Sequence, residues 1–452
     1  MPDKKPTFEK TLMRSDSVLS FAEEVFVSQK DSKFLFLNPN MPDWLVVNNN
    51  GAYVLNLCAE RKTQHEIMQH LAQMGDENIL ADVEKLLNKA ISHSIVVAEP
   101  NQTEKRDGGY AGGASREKSH SPLRIVHLKL TDDCNLRCKY CYARCGGESK
   151  TLSLDELIQV AKDVASISPA VEYVISGGEP LLHPDCLEFS EIVKSGGNEV
   201  HLLTNGTLIT QANAGRIAEL CDLVKISIDG ATEKSHAMTR GHNNFDTVTA
   251  AVDLLLSLDA PVRVAMTVTR HNMHEIPEMA KRYGSLLTFQ PFFHAGRGTD
   301  HVDFALTGKE YYLALASAEQ VKPLAAFEQV LERARRRGIR RCAIGDAEIS
   351  ISETGNVYPC QMLEENKYCA GNIFKTPLVE IYSNSPVLKR VRQLNISNIE
   401  GCTSCPVKLI CGGACRARAY HENGRDDVAG DFCEYEKLAY LNGIFDSTTL
   451  DG

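Results

Sequence analysis

Residues 134–141 read CNLRCKYC, so Cys134, Cys138 and Cys141 stand in a Cys-x3-Cys-x2-Cys spacing. Three thiols cannot all pair into disulfides. A structural tetrahedral zinc takes four protein ligands, and Cys145, four residues further on, would complete such a set. A [4Fe–4S] cluster held by three thiolates instead leaves one iron free to chelate a substrate or cofactor. A second group follows Cys342-x12-Gly355-x4-Cys360, then Cys402-x2-Cys405-x5-Cys411-x3-Cys415-x17-Cys433. CxxC pairs of this kind serve zinc as well as iron–sulfur centres. The five other cysteines, Cys58, Cys145, Cys186, Cys221 and Cys369, share no pattern. Polar or glycine signals that could meet a ligand are SGGEP (176–180), TNG (204–206), SIDG (227–230) and the arginine of HAMTRG (236–241). Glycines at 177 and 178 let backbone groups approach a ligand, or simply make a tight turn from strand to helix.

The chain that must position these groups has 452 residues, enough for two or three cores. Hydrophobic content of 43% and charged content of 24% are those of a soluble globular protein. A net charge of −10 argues against a general nucleic-acid binder. No apolar run reaches the roughly 20 residues of a membrane span, and the polar start MPDKKPTFEK lacks a signal-peptide core. A reducing cytoplasm is the expected compartment, and there fifteen cysteines point to metal or catalytic sites rather than disulfides.

Four regions follow from the patterning. Residues 1–98 hold strand-like pieces, VFVSQK, KFLFLN and WLVVN, then three helical patterns at 51–58, 63–74 and 79–93. Ile67, Leu71 and Met74 share one helical face; Leu80, Val83, Leu86 and Leu87 share another. This is a winged-helix-like α+β module. Residues 99–122 are rich in Gly, Ser, Lys and Glu and read as a flexible linker. Residues 123–325 alternate apolar β-rich runs, at 123–130, 171–178, 199–206, 223–230, 262–269 and 286–293, with helical stretches such as 154–167 and 245–258. Near-continuous apolar strands alternating with helices predict an α/β fold with a parallel sheet, here an incomplete six-unit barrel with its chemistry at the C-terminal strand ends. Residues 326–452 are cysteine-rich and loop-like, a composition that needs metal staples.

With the triad after the first strand, Tyr140 just before its last cysteine and SGGEP ending the second strand, the chain resembles the radical S-adenosylmethionine (SAM) family. The resemblance implies a partial (β/α)6 TIM-like barrel and a [4Fe–4S] cluster on Cys134, Cys138 and Cys141. The open iron would hold the amino and carboxylate groups of SAM, whose reductive cleavage yields a 5′-deoxyadenosyl radical that abstracts hydrogen from substrate. By the same resemblance, Ser176, Gly177, Gly178, Glu179 and Pro180 would meet the SAM amino group. Ser227 and Arg240 would hold its carboxylate, and Tyr140, Thr204 and Asn205 would line the pocket. Asp229 reads equally well as a helix cap.

The later cysteines resemble the SPASM extension of that family, which implies two auxiliary [4Fe–4S] clusters and three in all. One would use Cys402, Cys405, Cys411 and Cys433, the other Cys342, Cys360 and Cys415. Some relatives carry one more cysteine between the first two, and this chain has none between Cys342 and Cys360. Either that cluster has an open iron with affinity for a substrate thiolate, or Cys369 substitutes. The N-terminal module resembles the small peptide-recognition element fused to peptide-modifying members, where a leader peptide adds a strand to the sheet edge; residues 25–37 are the expected surface. The expected function is therefore maturation of a ribosomally made precursor peptide by an intramolecular thioether, with a flavodoxin or ferredoxin as electron donor. Carbon–carbon cross-linking, a protein or tetrapyrrole substrate, and a non-catalytic zinc protein that binds peptides are the alternatives. The expected partners include neither nucleic acid nor membrane, and no residue is singled out as the catalytic base.

Overall fold

The computed structural model describes residues 16–41, 43–73, 79–99, 123–147, 150–318 and 342–447. Most of the expected linker, the boundary expected at 325–326 and Met74 lie outside the described residues. The first region runs β1 (Val18–Phe21), β2 (Phe26–Lys30), β3 (Lys33–Asn38), β4 (Asp43–Val47), α1 (Asn49–Cys58), α2 (Gln64–Ala72), α3 (Ile79–Ser92) and β5 (Val96–Glu99). β2, β3 and β4 form an antiparallel meander, while β1 and β5 pair separately, a strand pair the patterning did not reveal. Thr63 and Glu66 cap α2 reciprocally, each side chain accepting from the other's backbone N–H.

KFLFLN is apolar at successive positions because both faces of the meander are covered. Phe36 and Leu45 pack on Leu55, Ile67 and Leu87 of the module's own helices. Leu35, Leu37 and Val46 face the other way, onto Ile410, Tyr440, Ile444 and Phe445 near the C-terminus. Each such side chain contributes about 1.5–3 kcal/mol of burial. Lys30 Nζ adds an ion pair to Asp446 at 2.8 Å.

The middle region alternates β6 (Ile125–Lys129), α4 (Leu154–Ile167), β7 (Glu172–Ser176), α5 (Cys186–Ser195), β8 (Glu199–Thr204), α6 (Ala214–Leu220), β9 (Leu223–Ser227), α7 (Glu233–Arg240), α8 (Phe245–Ser257), β10 (Val262–Val268), α9 (Ile276–Tyr283), β11 (Leu287–Pro291) and α10 (Gly308–Ala316). The six strands pair in parallel in chain order from β6 to β11, and β6 does not pair with β11. The barrel is therefore open, as expected. The face toward the helices is apolar throughout. Val126, Leu128, Tyr173, Ile175 and Leu202 pack against Leu157, Val160 and Phe189 of the covering helices. Alternate positions put His127, Lys129, Ser176, His201, Lys225 and Ser227 on the inner face, with Ile125, Val174 and Leu203 among them. A closed barrel fills that space with branched apolar side chains; this one keeps it largely polar.

The last region was expected to be loop-like, yet it extends the barrel sheet. β12 (Glu348–Ile351) pairs in parallel with β6, and β13 (Asn356–Tyr358) and β14 (Gly371–Asn372) follow antiparallel. Among the described residues five helices complete it: α11 (Leu378–Asn384), α12 (Pro386–Arg392), α13 (Lys408–Cys411), α14 (Arg416–Asn423) and α15 (Cys433–Ser447). Among the described residues no helix is long and apolar enough to cross a membrane.

Candidate active site and cluster sites

The loop after β6 carries Cys134, Cys138 and Cys141, and more distant segments of the chain hold it. The SGGEP turn lies directly against it: Gly178 N–H donates to Thr131 O at 2.9 Å and Glu179 N–H to Asp133 O at 2.8 Å. A Cβ on Gly178 would sit 2.1 Å from Asp133 O, and one on Gly177 2.5 Å from Thr131 O. The glycines are thus required by protein backbone. Arg137 donates to Cys134 O at 2.7 Å and to Gly146 O at 2.8 Å. Arg297 donates through Nε to Cys138 O and through a terminal nitrogen to Cys145 O, both at 2.9 Å, while its own N–H reaches Cys141 O at 2.9 Å. The preceding Gly296 has φ +56°, and a Cβ there would meet Tyr142 O at 2.1 Å. Cys145 is buried, with its thiol against Cys141. That hydrogen bond, helped by backbone N–H groups and Arg297, pulls Cys141 down to about 5, whereas burial pushes Cys134 up to about 11. Arg240 reaches Cys138 Sγ at 3.7 Å and is the cation nearest that thiol.

Two buried carboxylates organise the floor beside this loop. Glu179 accepts from Thr204 Oγ1 at 2.7 Å, Asn205 N–H at 2.8 Å and Leu181 N–H at 3.2 Å. Burial pushes its carboxyl above the ordinary range, against those donors. Glu179 therefore ties the end of β7 to the end of β8 and fixes where Thr204 and Asn205 stand. Asp229 is fully buried and accepts from Arg240 Nε at 2.7 Å, Tyr140 Oη at 2.5 Å, Thr239 Oγ1 at 3.2 Å and Thr267 N–H at 2.9 Å. The Arg240 guanidinium also lies over the Tyr140 ring, 5.3 Å from its centre. Asp229 is no helix cap: Thr232 caps α7, accepting from Ser235 N–H. SIDG marked the position of Asp229 but not its role, and Arg297 left no signal beyond a glycine on either side.

Tyr140, Glu179, Thr204, Asn205 and Arg240 are thus brought to one rim with the triad. Pro180 opens the turn after Glu179, and Ser227 ends β9 two residues before Asp229. Ser176 Oγ is buried at the end of β7 with no partner. An orphaned hydroxyl, three thiols on one loop and a guanidinium against one of them fit an iron–sulfur cluster and a polar ligand beside it.

The second cysteine group forms two separate sets. Cys402, Cys405, Cys411 and Cys433 line one pocket that opens partly to solvent, together with Gly413 and Arg416. Arg416 is held there by Val428 O at 2.7 Å and Asp426 O at 3.1 Å. Cys342 and Cys360 pack in one apolar cluster elsewhere, and Cys415, at the N-cap of α14, lies within electrostatic reach of both. Cys369 packs in the same apolar cluster and donates to Gly371 O at 3.6 Å. Four thiols around one cavity, and three at another, fit the donor chemistry of iron–sulfur centres.

Comparison with known proteins agrees with this geometry. Residues 128–283 match the radical SAM superfamily, residues 342–406 the SPASM iron–sulfur cluster-binding domain, and residues 34–96 coenzyme PQQ synthesis protein D (PqqD). The AdoMet-dependent heme synthase of Methanosarcina barkeri is 30% identical over 344 residues, which is 69% of this chain and 96% of that one. The subtilosin biosynthesis protein AlbA of Bacillus subtilis is 28% identical over 320 residues, 67% of this chain and 69% of that one. In fold, SuiB of Streptococcus suis bound to its precursor peptide SuiA superposes with a TM-score of 0.54 at 14% identity, covering 92% of this chain and 100% of that one. The triad loop, the open parallel barrel and the extent of these matches lead to one conclusion: this chain belongs to the radical SAM superfamily, with a SPASM iron–sulfur domain after its barrel and a PqqD-like domain before it.

Proposed function

We propose that this enzyme matures a ribosomally made precursor peptide, joining a cysteine sulfur to a carbon of the same peptide as an intramolecular thioether. The observation that carries the reading is the seating of the PqqD-like module. Its meander packs on the helices that flank the cysteine cavity, and β2 pairs on one side only among the described residues. An open strand edge suits main-chain pairing with an extended leader peptide, and Val27 on β2 is 46% exposed. Such an edge serves a peptide and not a tetrapyrrole, which separates this reading from that of the heme-synthase relative. SuiB binds a precursor peptide and AlbA serves subtilosin biosynthesis, and both support the peptide class.

Three [4Fe–4S] clusters would be held: one by Cys134, Cys138 and Cys141, one by Cys342, Cys360 and Cys415, and one by Cys402, Cys405, Cys411 and Cys433. With SAM bound, they supply electron transfer and abstraction of a hydrogen atom from the peptide. The chain's own residues orient and screen. Arg240, locked by Asp229, would hold the SAM carboxylate through its guanidinium. Ser176 and the SGGEP backbone would meet the SAM amino group, while Glu179 keeps Thr204 and Asn205 in place. Ser227 lies on the same rim. Arg297 and Arg137 keep the cluster loop from moving as the ligand binds. A flavodoxin or ferredoxin in a reducing cytoplasm would deliver the electron.

The test is mass spectrometry of a cysteine-containing precursor after anaerobic incubation with enzyme, SAM and reductant. A loss of two hydrogens per link, with that cysteine no longer alkylated, is expected. The same loss with the cysteine still alkylated would replace the thioether by a carbon–carbon link. Colourless, zinc-containing protein inert to SAM would end the radical reading.

A further inference from the structure

The site of Cys342, Cys360 and Cys415 has a fourth anionic group. Glu348 lies between Cys342 and Cys360 in the chain, where this sequence has no cysteine. β12 and β13 pair Ser350 with Tyr358 and Ile351 with Val357. The ladder stops there and Gly345 wedges between Glu348 and Pro359, but alternation from Ser350 and Tyr358 leaves Glu348 and Cys360 on one face of the sheet. The backbone holds the junction closed: Gly345 N–H donates to Glu348 O at 2.9 Å and to Pro359 O at 3.0 Å. Glu348 N–H donates to Ala343 O at 3.1 Å, which folds the turn after Cys342 back onto the start of β12. Both Cys342 and Cys360 feel the Glu348 charge, though burial is what chiefly raises them.

A carboxylate beside three thiolates is unfavourable unless a cation stands among them. Among the described residues its own partner is His127, whose Nε2 lies 3.1 Å from Glu348 Oε1. His127 Nδ1 is buried with no partner. One imidazole, anchored on β6 and hydrogen-bonded to one oxygen, is the arrangement that orients a ligating carboxylate. We propose that Glu348 is the resting fourth ligand of the auxiliary cluster held by Cys342, Cys360 and Cys415, with His127 as its positioning residue. The ligand is a hard oxygen on a soft iron, so an incoming thiolate or other soft anion exchanges with it. The exchange is ligand for ligand, with no change in oxidation state. This rests on the cluster assignment made under Proposed function and holds whether the product is a thioether or a carbon–carbon link.

The experiment uses the full chain with Cys134, Cys138 and Cys141 all replaced by alanine, so that the remaining iron is auxiliary. After anaerobic reconstitution, ¹³C-cyanide is titrated and read by pulsed EPR of the reduced clusters. Glu348→Ala is expected to bind cyanide at least about tenfold more tightly than the parent, equivalent to about 1.4 kcal/mol. Glu348→Cys, which places a thiolate at the same position, is expected to bind none while keeping its iron. Retention of the signal from the four-cysteine cluster reports that each variant is folded. Equal cyanide affinity in the parent and both variants would overturn the proposal. So would opening of the site by Cys369→Ala in place of Glu348→Ala. If Cys360→Ala leaves iron content and spectrum unchanged, there is no cluster at this site. The cluster assignment then falls, and the ligand proposal with it.

Discussion

The triad loop and the Cys342–Cys360–Cys415 site each offer three thiols, but they are built in opposite ways. The first gathers its cysteines within eight residues and sets three arginines, Arg137 and Arg297 on the carbonyls and Arg240 on Cys138 Sγ, against two buried carboxylates, Glu179 and Asp229. The second gathers them from positions 342, 360 and 415 and sets the carboxylate of Glu348 against them. A cationic rim favours an anionic ligand from outside, as the carboxylate of SAM requires. An anionic rim closes the set from within. Three thiols therefore do not mean the same thing twice, and the difference lies in the charge that tertiary contacts bring up.

Removing one thiol from each site breaks the comparison most sharply. Cys138→Ala is expected to abolish reductive SAM cleavage, measured as 5′-deoxyadenosine, while the iron of the other sites remains. Cys360→Ala is expected to keep SAM cleavage and lose peptide modification. If both lose SAM cleavage alike, the two sites are not separate in function. Next in size is Asp229→Asn, which leaves Arg240 as a buried charge without its carboxylate. Loss of such a partner costs about 3–5 kcal/mol, seen as a lower urea midpoint, and SAM affinity should fall with it. Urea midpoint and affinity both unchanged would mean that Asp229 does not hold Arg240 in solution.

Gly178→Ala sharpens the claim that the SGGEP turn supports the cluster loop. The added methyl overlaps Asp133 O, a backbone atom that cannot rotate away, so about 1–3 kcal/mol of strain is expected. Iron should be lost from the triad site and kept at the auxiliary sites. Full retention at the triad would show that the loop stands without the turn. The smallest effect is a pH dependence confined to the second region. Burial alone would raise Asp426, yet Arg390 at 2.6 Å and Tyr368 at 2.8 Å hold its carboxyl below the ordinary range. A lowered folded value means stability that is present above the unfolded value of about 3.9 and lost as pH falls through the folded one. Asp426→Asn should flatten that acid limb of the unfolding curve by about 1 kcal/mol, with SAM cleavage at neutral pH unaffected.

The sequence by itself determined the elements and the donor sets. Parallel barrel strands were legible because each carries a run of apolar residues followed by a helix of regular period. The thiols were legible because metal chemistry restricts their spacing. The sequence did not disclose that the inner face of the strands is largely polar, since short apolar runs read alike whether one or both faces are covered. Nor did it disclose β12 joining the barrel sheet, because Glu348–Ile351 is four residues long and lies among loops. KFLFLN was legible as a strand, but its second apolar face found a reason only when the C-terminal helices proved to cover it. Asp229, Arg297 and Glu348 were hidden for one shared cause. Each acts on a group far away in the chain, and a lone charged residue carries no spacing to read. Tertiary structure alone decided the balance of arginines and carboxylates beside each set of thiols. Charge acts through space, and only the fold sets those distances.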